Sequence, residues 1–372
     1  MKILVLTKRQ YMGKDLLDDR FGRFWELPLE LARLGHEVQG LALSYRRRAG
    51  GTFTDGDGSS GGGVTWNSVN LLNGCLPQLE KYTRRALQIS RDFRPDIVWA
   101  CSDAYHAVFG NWLAKRVKSK CVIDLYDNFE SYLATRIPGV LPLFKRAVKA
   151  ADGITCVSPQ LASYVSQRYG SCASTLVLEN AIRSQLFRPM EREACRKQLG
   201  LPPRVEIIGT AGALYGSRGI NTLYRGFEIL AAENQSLHLA LAGPRPSSGG
   251  IPRGKHIHDL GVLPLEKVAV FLNALDVSVI CNRDSSFGRY NFPQKAYEII
   301  ACRVPLVAAA VGSMNELLLN YPDCLYVPEN PAGLATAIRR QLLAKTVLEI
   351  PAPSWADSAA QLETFFLRIR HG

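Results

Sequence analysis

Between residues 205 and 223 an apolar run, Val205–Thr210, gives way to Gly212, Ala213, Gly216, Arg218 and Gly219, and then to a helical pattern. A glycine turn that opens a helix presents backbone N–H groups at the positive end of the helix dipole, which favours phosphate, and an arginine there adds a two-pronged contact. Eighty residues before Glu298, this turn is the first of three stretches suited to chemistry. The second runs from Tyr290 through Asn291, Phe292, Pro293, Gln294 and Lys295 into a helix carrying Glu298, and ends in the apolar run Val304–Ala309. Lys295, near the start of that helix, reads by itself as an exposed, ion-pairing lysine. The third is Asp127, just past the apolar run Cys121–Leu125 and preceded by Tyr126. Polar groups at the carboxyl end of a parallel strand face the crevice where such sheets bind ligands. Asp127 is therefore the first candidate to grip a reacting group, with a helix-capping aspartate as the alternative.

Other motifs point elsewhere or nowhere. Asp55-Gly56-Asp57 spells a metal-binding D-x-D, but it lies in a Gly-rich stretch expected to lack structure, so no metal site is assigned. His256 and His258 alternate along a strand and lack an evident third ligand, which suits structural histidines. The nine cysteines stand singly, without a C-x-x-C pair, and read as buried thiols. Neither a G-x-G-x-x-G fingerprint after the first strand nor a P-loop is present, which disfavours a dinucleotide oxidoreductase.

The elements that must position these residues alternate. Apolar runs at residues 2–7, 37–42, 96–100, 121–125 and 153–157 are separated mostly by helical stretches, the first being Phe24–Leu34 closed by Gly35. This is the rhythm of a parallel sheet. Residues 46–63, rich in Gly, Ser, Thr and Arg, break it and are expected to be an unstructured surface loop. A polar, helix-breaking connection at about 180–203 precedes a second set of runs at 205–210, 237–242, 256–260, 277–281, 304–309 and 324–327. The expected domains are 1–185, 186–354 and a C-terminal helix, 355–372, with packing against the first domain as one option.

The net charge of +12 is uneven: through residue 175, 24 Lys and Arg face 16 Asp and Glu. No nucleic-acid recognition motif accompanies the charge. The segments Lys81–Arg85 and Lys145–Lys149 are candidates for contact with anionic lipid, or for ordinary solvated helix faces. The opening apolar run is too short for a signal peptide or a membrane span, so the expectation is a cytoplasmic protein with peripheral membrane contact.

The segment Tyr290–Ala308 resembles the nucleotide-binding signature of retaining GT-B glycosyltransferases of family four, the group 1 transferases. Gly209–Leu223 is similar to that family's glycine-rich turn, and Val122–Glu130 to its strand ending in His-Asp, with Tyr126 in place of His. Echoes at Thr155–Leu161, Leu178–Arg183, Leu239–Gly243 and Gly261–Pro264 extend the resemblance over nearly the whole chain. It implies an α/β fold of two Rossmann-like doubly wound domains facing each other across a cleft. It also implies Glu298 on the hydroxyls of a nucleotide ribose, where a carboxylate makes charge-assisted bonds. The donor set it implies is Gly13, Gly212, Gly216, Arg218, Tyr290, Asn291, Phe292, Pro293, Lys295 and Glu298. Asp127, Arg218 and Lys295 carry the catalysis.

Two positions depart from the family pattern. Tyr290 stands where members keep a sugar-contacting Glu, and Ala213 where they keep one of two diphosphate-clamping cations. The implied activity is transfer of a sugar, with retention and without metal or cofactor, from a nucleoside diphosphate sugar to a glycan or lipid-linked acceptor. An epimerase or phosphorylase on a related scaffold, or a non-catalytic partner subunit, remains open at this point.

Overall fold

The structure is a computed structural model that describes residues 1–11, 14–55, 62–73, 76–170, 174–245, 250, 252 and 254–372. They form two compact units, one of Met1–Asn180 with Trp355–Gly372 and the other of Ala181–Ser354.

The first unit is built on an eight-stranded sheet. Its strands are β1 (Lys2–Lys8), β2 (Glu37–Ser44), β3 (Gly51–Asp55), β4 (Val64–Asn70), β5 (Ile97–Ala100), β6 (Lys120–Leu125), β7 (Gly153–Cys156) and β8 (Ser174–Val177). The order is β8-β7-β6-β5-β1-β2-β4-β3, parallel throughout except that β3 runs antiparallel to β4. Central strands such as β5, Ile-Val-Trp-Ala, are buried at every position, as expected where helices cover both faces. The helices are α1 (Arg23–Arg33), α2 (Leu79–Phe93), α3 (Ala104–Val117), α4 (Val140–Ala150) and α5 (Pro159–Tyr169). Gly35 closes α1 at φ 90°, and its N–H donates to the Ala32 carbonyl. Gly40 makes room for an aromatic: a Cβ there would sit 2.1 Å from the Trp66 ring, which stacks on Trp25.

The second unit carries six parallel strands, β9 (Ile207–Ala211), β10 (His238–Ala242), β11 (Ile257–Asp259), β12 (Val277–Ile280), β13 (Leu306–Ala309) and β14 (Leu325–Tyr326), in the order β11-β10-β9-β12-β13-β14. Helices α6 (Arg192–Leu199), α7 (Ile220–Glu233), α8 (Leu265–Ala274), α9 (Lys295–Ala301), α10 (Ser313–Leu317) and α11 (Pro331–Leu343) complete it. The last helix, α12 (Trp355–His371), belongs to the first unit, where Phe366 meets Trp99 edge-on at 5.7 Å and Arg370 pairs with Asp96.

Two sequence expectations are corrected. Within the stretch 46–63, expected to be structureless, residues 51–55 form β3, which pairs across five residues with β4. The connection at 180–203 holds α6, docked by the Arg196 guanidinium on Asp276 and on three backbone carbonyls. Of the cysteines, the seven within the described residues are free and buried. His256 and His258 both pack against His238 on β10, with ring centroids 4.5 and 5.0 Å away. Burial and then these two neighbours push His238 down to about 4, so that ring is neutral near pH 7.

One buried ion pair ties the first unit together. Arg23, on α1, donates to Asp124 on β6 at 2.8 Å, and neither side chain is exposed. Its other Nη donates to the Leu178 carbonyl and to Asn180. Burial raises the Asp124 carboxyl, and Arg23 opposes the rise. Removing one member strands the other charge in the interior, which costs about 3–5 kcal/mol, whereas an apolar pair of similar volume is close to neutral. Arg23→Met is therefore expected to lower the denaturant midpoint sharply, and Arg23→Met with Asp124→Leu to recover most of it. A double variant no more stable than Arg23→Met would contradict the pairing as the source of the cost.

Candidate active site

In the second unit the polypeptide leaves β9 at Gly212, with φ 128°, and turns through a short 3₁₀ helix, Gly216–Arg218, before Gly219, at φ 82°, starts α7. Gly212 and Gly216 are exposed, so their backbone faces solvent. A Cβ added at Gly212 would lie 3.6 Å from Lys295 Nζ, which places the ammonium directly over the turn. The Arg218 guanidinium lies over the Phe287 ring, 3.5 Å from its centroid. Burial lowers the Lys295 pKa; Cys281 opposes that and the nearby positive Arg218 adds to it.

Glu298 is buried on α9, one turn beyond Lys295, and accepts a hydrogen bond from Gln294 Nε2 at 3.1 Å. Burial pushes its carboxyl up to about 7, against Gln294 and Lys295. The fold thus brings Gly212, Arg218, Lys295 and Glu298 into one neighbourhood. Tyr290, Asn291 and Pro293 lie on the loop leading into α9, where the Pro293 carbonyl accepts from Ala296 N–H. Phe292 points inward instead, buried and stacked on Tyr297 at 4.8 Å, so it supports the loop from beneath. Gly312, at φ 55°, permits that loop to pass, because a Cβ there would meet the Arg289 carbonyl oxygen at 2.6 Å. Among the described residues, Asn291 Oδ1 and Asn282 Nδ2 are buried without a hydrogen-bond partner. Buried polar atoms normally have one. Asn282 escaped the sequence reading, although its place two residues past β12 is the same strand-end signal that singled out Asp127.

The first unit gathers a second cluster at the carboxyl ends of β1, β5 and β6. Asp127 accepts from Tyr132 Oη at 2.9 Å, Tyr132 Oη lies 3.0 Å from Tyr126 Oη, and Lys8 Nζ donates to Tyr126 Oη at 3.0 Å. Asp127 also accepts from the Asn128 N–H through its other oxygen. Burial lowers the Lys8 pKa, and Asp103 and Asp127 oppose it. Asp103 caps α3 and pairs with His106 Nδ1 at 2.7 Å and with Tyr45 Oη at 2.8 Å. Burial would raise the Asp103 carboxyl, but His106 and then Lys8 hold it well below the usual range. Ser102, just before it, takes φ 82°, a conformation costly for any residue but glycine. Gly13 and the D-x-D residues Gly56 and Asp57 lie outside the described residues.

Family models match both units: residues 23–181 match a glycosyl transferase 4-like domain, and residues 205–344 match the glycosyl transferases group 1. A Bacillus subtilis protein named as a teichuronic acid biosynthesis glycosyltransferase is 26% identical over 252 residues, which are 67% of this chain and 62% of that protein. The matched stretches span 30% to 62% of the length of the curated relatives. Among solved structures, sucrose-phosphate synthase of Thermosynechococcus elongatus superposes with a TM-score of 0.70 at 18% identity, covering 100% of this chain and 96% of that one. Anabaena HepE in complex with UDP-glucose gives 0.67 at 18% identity, covering 100% and 97%. Both neighbours have the GT-B fold, and so has this chain.

The raised Glu298 carboxyl has a consequence for stability. In the folded state it holds its proton to about pH 7, whereas in the unfolded chain it releases it near its ordinary value of 4.5. The folded state therefore binds more protons across that window, and stability falls as pH rises through it. Glu298→Gln is expected to flatten the fall in melting temperature between about pH 5 and 7. An unchanged slope in the variant would contradict the protonated carboxyl.

Proposed function

We propose that this chain, which belongs to the group 1 glycosyltransferases, moves a hexosyl group from a nucleoside diphosphate sugar to a glycan or lipid-linked acceptor, with retention of anomeric configuration and without a metal. The observation that carries the proposal is the meeting of Lys295 and Arg218 beside the exposed Gly212 turn, with the Glu298 carboxyl one helical turn further on. A diphosphate brought there finds backbone N–H groups, a permanently charged guanidinium and an ammonium whose burial is offset by the incoming anion. In its ionised form, Glu298 accepts from the two ribose hydroxyls. The UDP-glucose named with the Anabaena structure supports a uridine diphosphate sugar as the first donor to test.

In the proposed reaction the bond from the anomeric carbon to the diphosphate oxygen breaks, and its electron pair leaves with the diphosphate. The acceptor hydroxyl attacks from the same face through an oxocarbenium-like transition state, and its proton passes to the departing phosphate oxygen. The catalytic demand is chiefly electrostatic, since charge grows on the diphosphate as the bond breaks, and Arg218 and Lys295 meet that charge. Asp127, held by Tyr132 and the Asn128 N–H, is assigned to the reacting sugar or the acceptor hydroxyl. The teichuronic acid relative supports a role in cell-surface polysaccharide or glycolipid biosynthesis.

Calorimetry with Glu298→Ala is expected to show donor binding weaker by roughly tenfold or more, the cost of losing charge-assisted bonds. Unchanged affinity would remove Glu298 from the donor site. Arg218→Ala is expected to lower kcat more than donor affinity, because it acts on charge that develops in the transition state. An effect confined to KM would reduce Arg218 to ground-state binding. Turnover is expected to survive a chelator, and activity lost to chelation and restored by magnesium or manganese would reverse the metal-independent assignment.

A further inference from the structure

Of the two basic segments in the first unit, the fold spends one and leaves the other open. On α2, Arg84 pairs with Glu80, and Arg85 gives its donors to Asn67 and Gln88. The side chains of α4 behave differently. Pro142, Lys145, Arg146 and Lys149 recur on one face, and with Arg168 and Tyr169 of α5 they line a basin of about 500 Å³. Among the described residues none of these four cations takes part in an ion pair. The opposite face of α4, Phe144, Ala147 and Val148, is buried and anchors the helix. Apolar side chains on the same helix and just before it stand in solvent: Leu143 is 51% exposed, and Ile137 and Leu133, in the segment leading into α4, are 58% and 75% exposed.

We infer that this basin binds the phosphate headgroups of anionic lipids, with Leu133, Ile137 and Leu143 entering the headgroup layer. Four uncompensated cations in a concave surface favour a polyanionic ligand, and cations flanked by exposed aliphatic side chains match an anionic bilayer surface better than a dissolved ion. The inference deepens the acceptor side of the proposed function and rests on it only for the purpose of the contact, bringing the enzyme to a lipid-linked acceptor.

Vesicle sedimentation at low ionic strength, with mixed phosphatidylglycerol–phosphatidylcholine vesicles against pure phosphatidylcholine, tests it. Wild-type protein is expected to bind only the mixed vesicles. Each basic residue lost near an anionic surface costs about fivefold, so Lys145→Ser with Lys149→Ser weakens binding roughly twenty-five-fold. Both side chains reach solvent, so the melting temperature of the variant stays near that of wild type, and Lys145→Arg with Lys149→Arg keeps vesicle binding. Leu143→Ser with Ile137→Ser weakens binding without changing charge. Wild-type indifference to the mixed vesicles, full binding by the double serine variant, or loss of binding in the double arginine variant would overturn the inference. Release from vesicles by inorganic phosphate beyond that by chloride at equal ionic strength would also overturn it, in favour of a free-phosphate site. Donor calorimetry on the serine variant separates this failure from that of the transferase reading, since donor binding stays intact when only the basin is lost.

Discussion

The ends of β9 and β10 approach so closely that Gly243 has no room for a side chain. Gly212 donates to the Ala242 carbonyl and Gly243 to the Gly261 carbonyl, both with positive φ, and a Cβ on Gly243 would lie 1.9 Å from the Gly212 oxygen. This close approach holds the turn after β9 open on its solvent side, where Lys295 hangs over it. With a side chain at Gly243 the strand ends would part, and at Gly212 the φ of 128° would strain any other residue, so that the ammonium, Arg218 and the turn would no longer share one small volume. The chemistry of the second unit depends on that backbone constraint more than on any single charge.

The charges there are arranged at a cost that a ligand can offset. Lys295 and Glu298 are each shifted by burial toward their neutral forms, and two amide atoms, Asn291 Oδ1 and Asn282 Nδ2, lack partners among the described residues. A site assembled from groups that are poorly solvated when empty gains from a polar, anionic ligand. The first unit shows a different economy. Lys8, Tyr126, Tyr132 and Asp127 satisfy one another in a chain of hydrogen bonds, which fixes Asp127 before anything binds.

The site in the second unit was largely legible in the sequence, because Lys295 and Glu298 sit on one helix and the glycine turn announces itself by composition. The companions of Asp127 were not. Lys8 and Tyr126 are 118 residues apart and meet only because β1 and β6 end on the same side of one sheet. His106 likewise belongs to no motif and is defined by its bond to Asp103. The doubly wound folds showed in the apolar runs, whereas β3, Gly-Thr-Phe-Thr-Asp, gives no such signal. A polar edge strand is specified by the neighbour it pairs with, here β4, more than by its own residues. The short α6 was hidden for a similar reason: its mean hydropathy is low, and its place is fixed by Arg196 reaching a distant Asp276.

The account stands on the claim that the Gly212 turn, Arg218 and Lys295 form a diphosphate site. Calorimetric titration of uridine, adenosine and guanosine diphosphates, each against its monophosphate, tests this most directly. The account predicts that at least one diphosphate binds about tenfold or more tightly than its monophosphate, a difference of about 1.4 kcal/mol, and that Lys295→Met erases most of the gap. Equal affinity for diphosphate and monophosphate, or a gap that survives Lys295→Met undiminished, would contradict it.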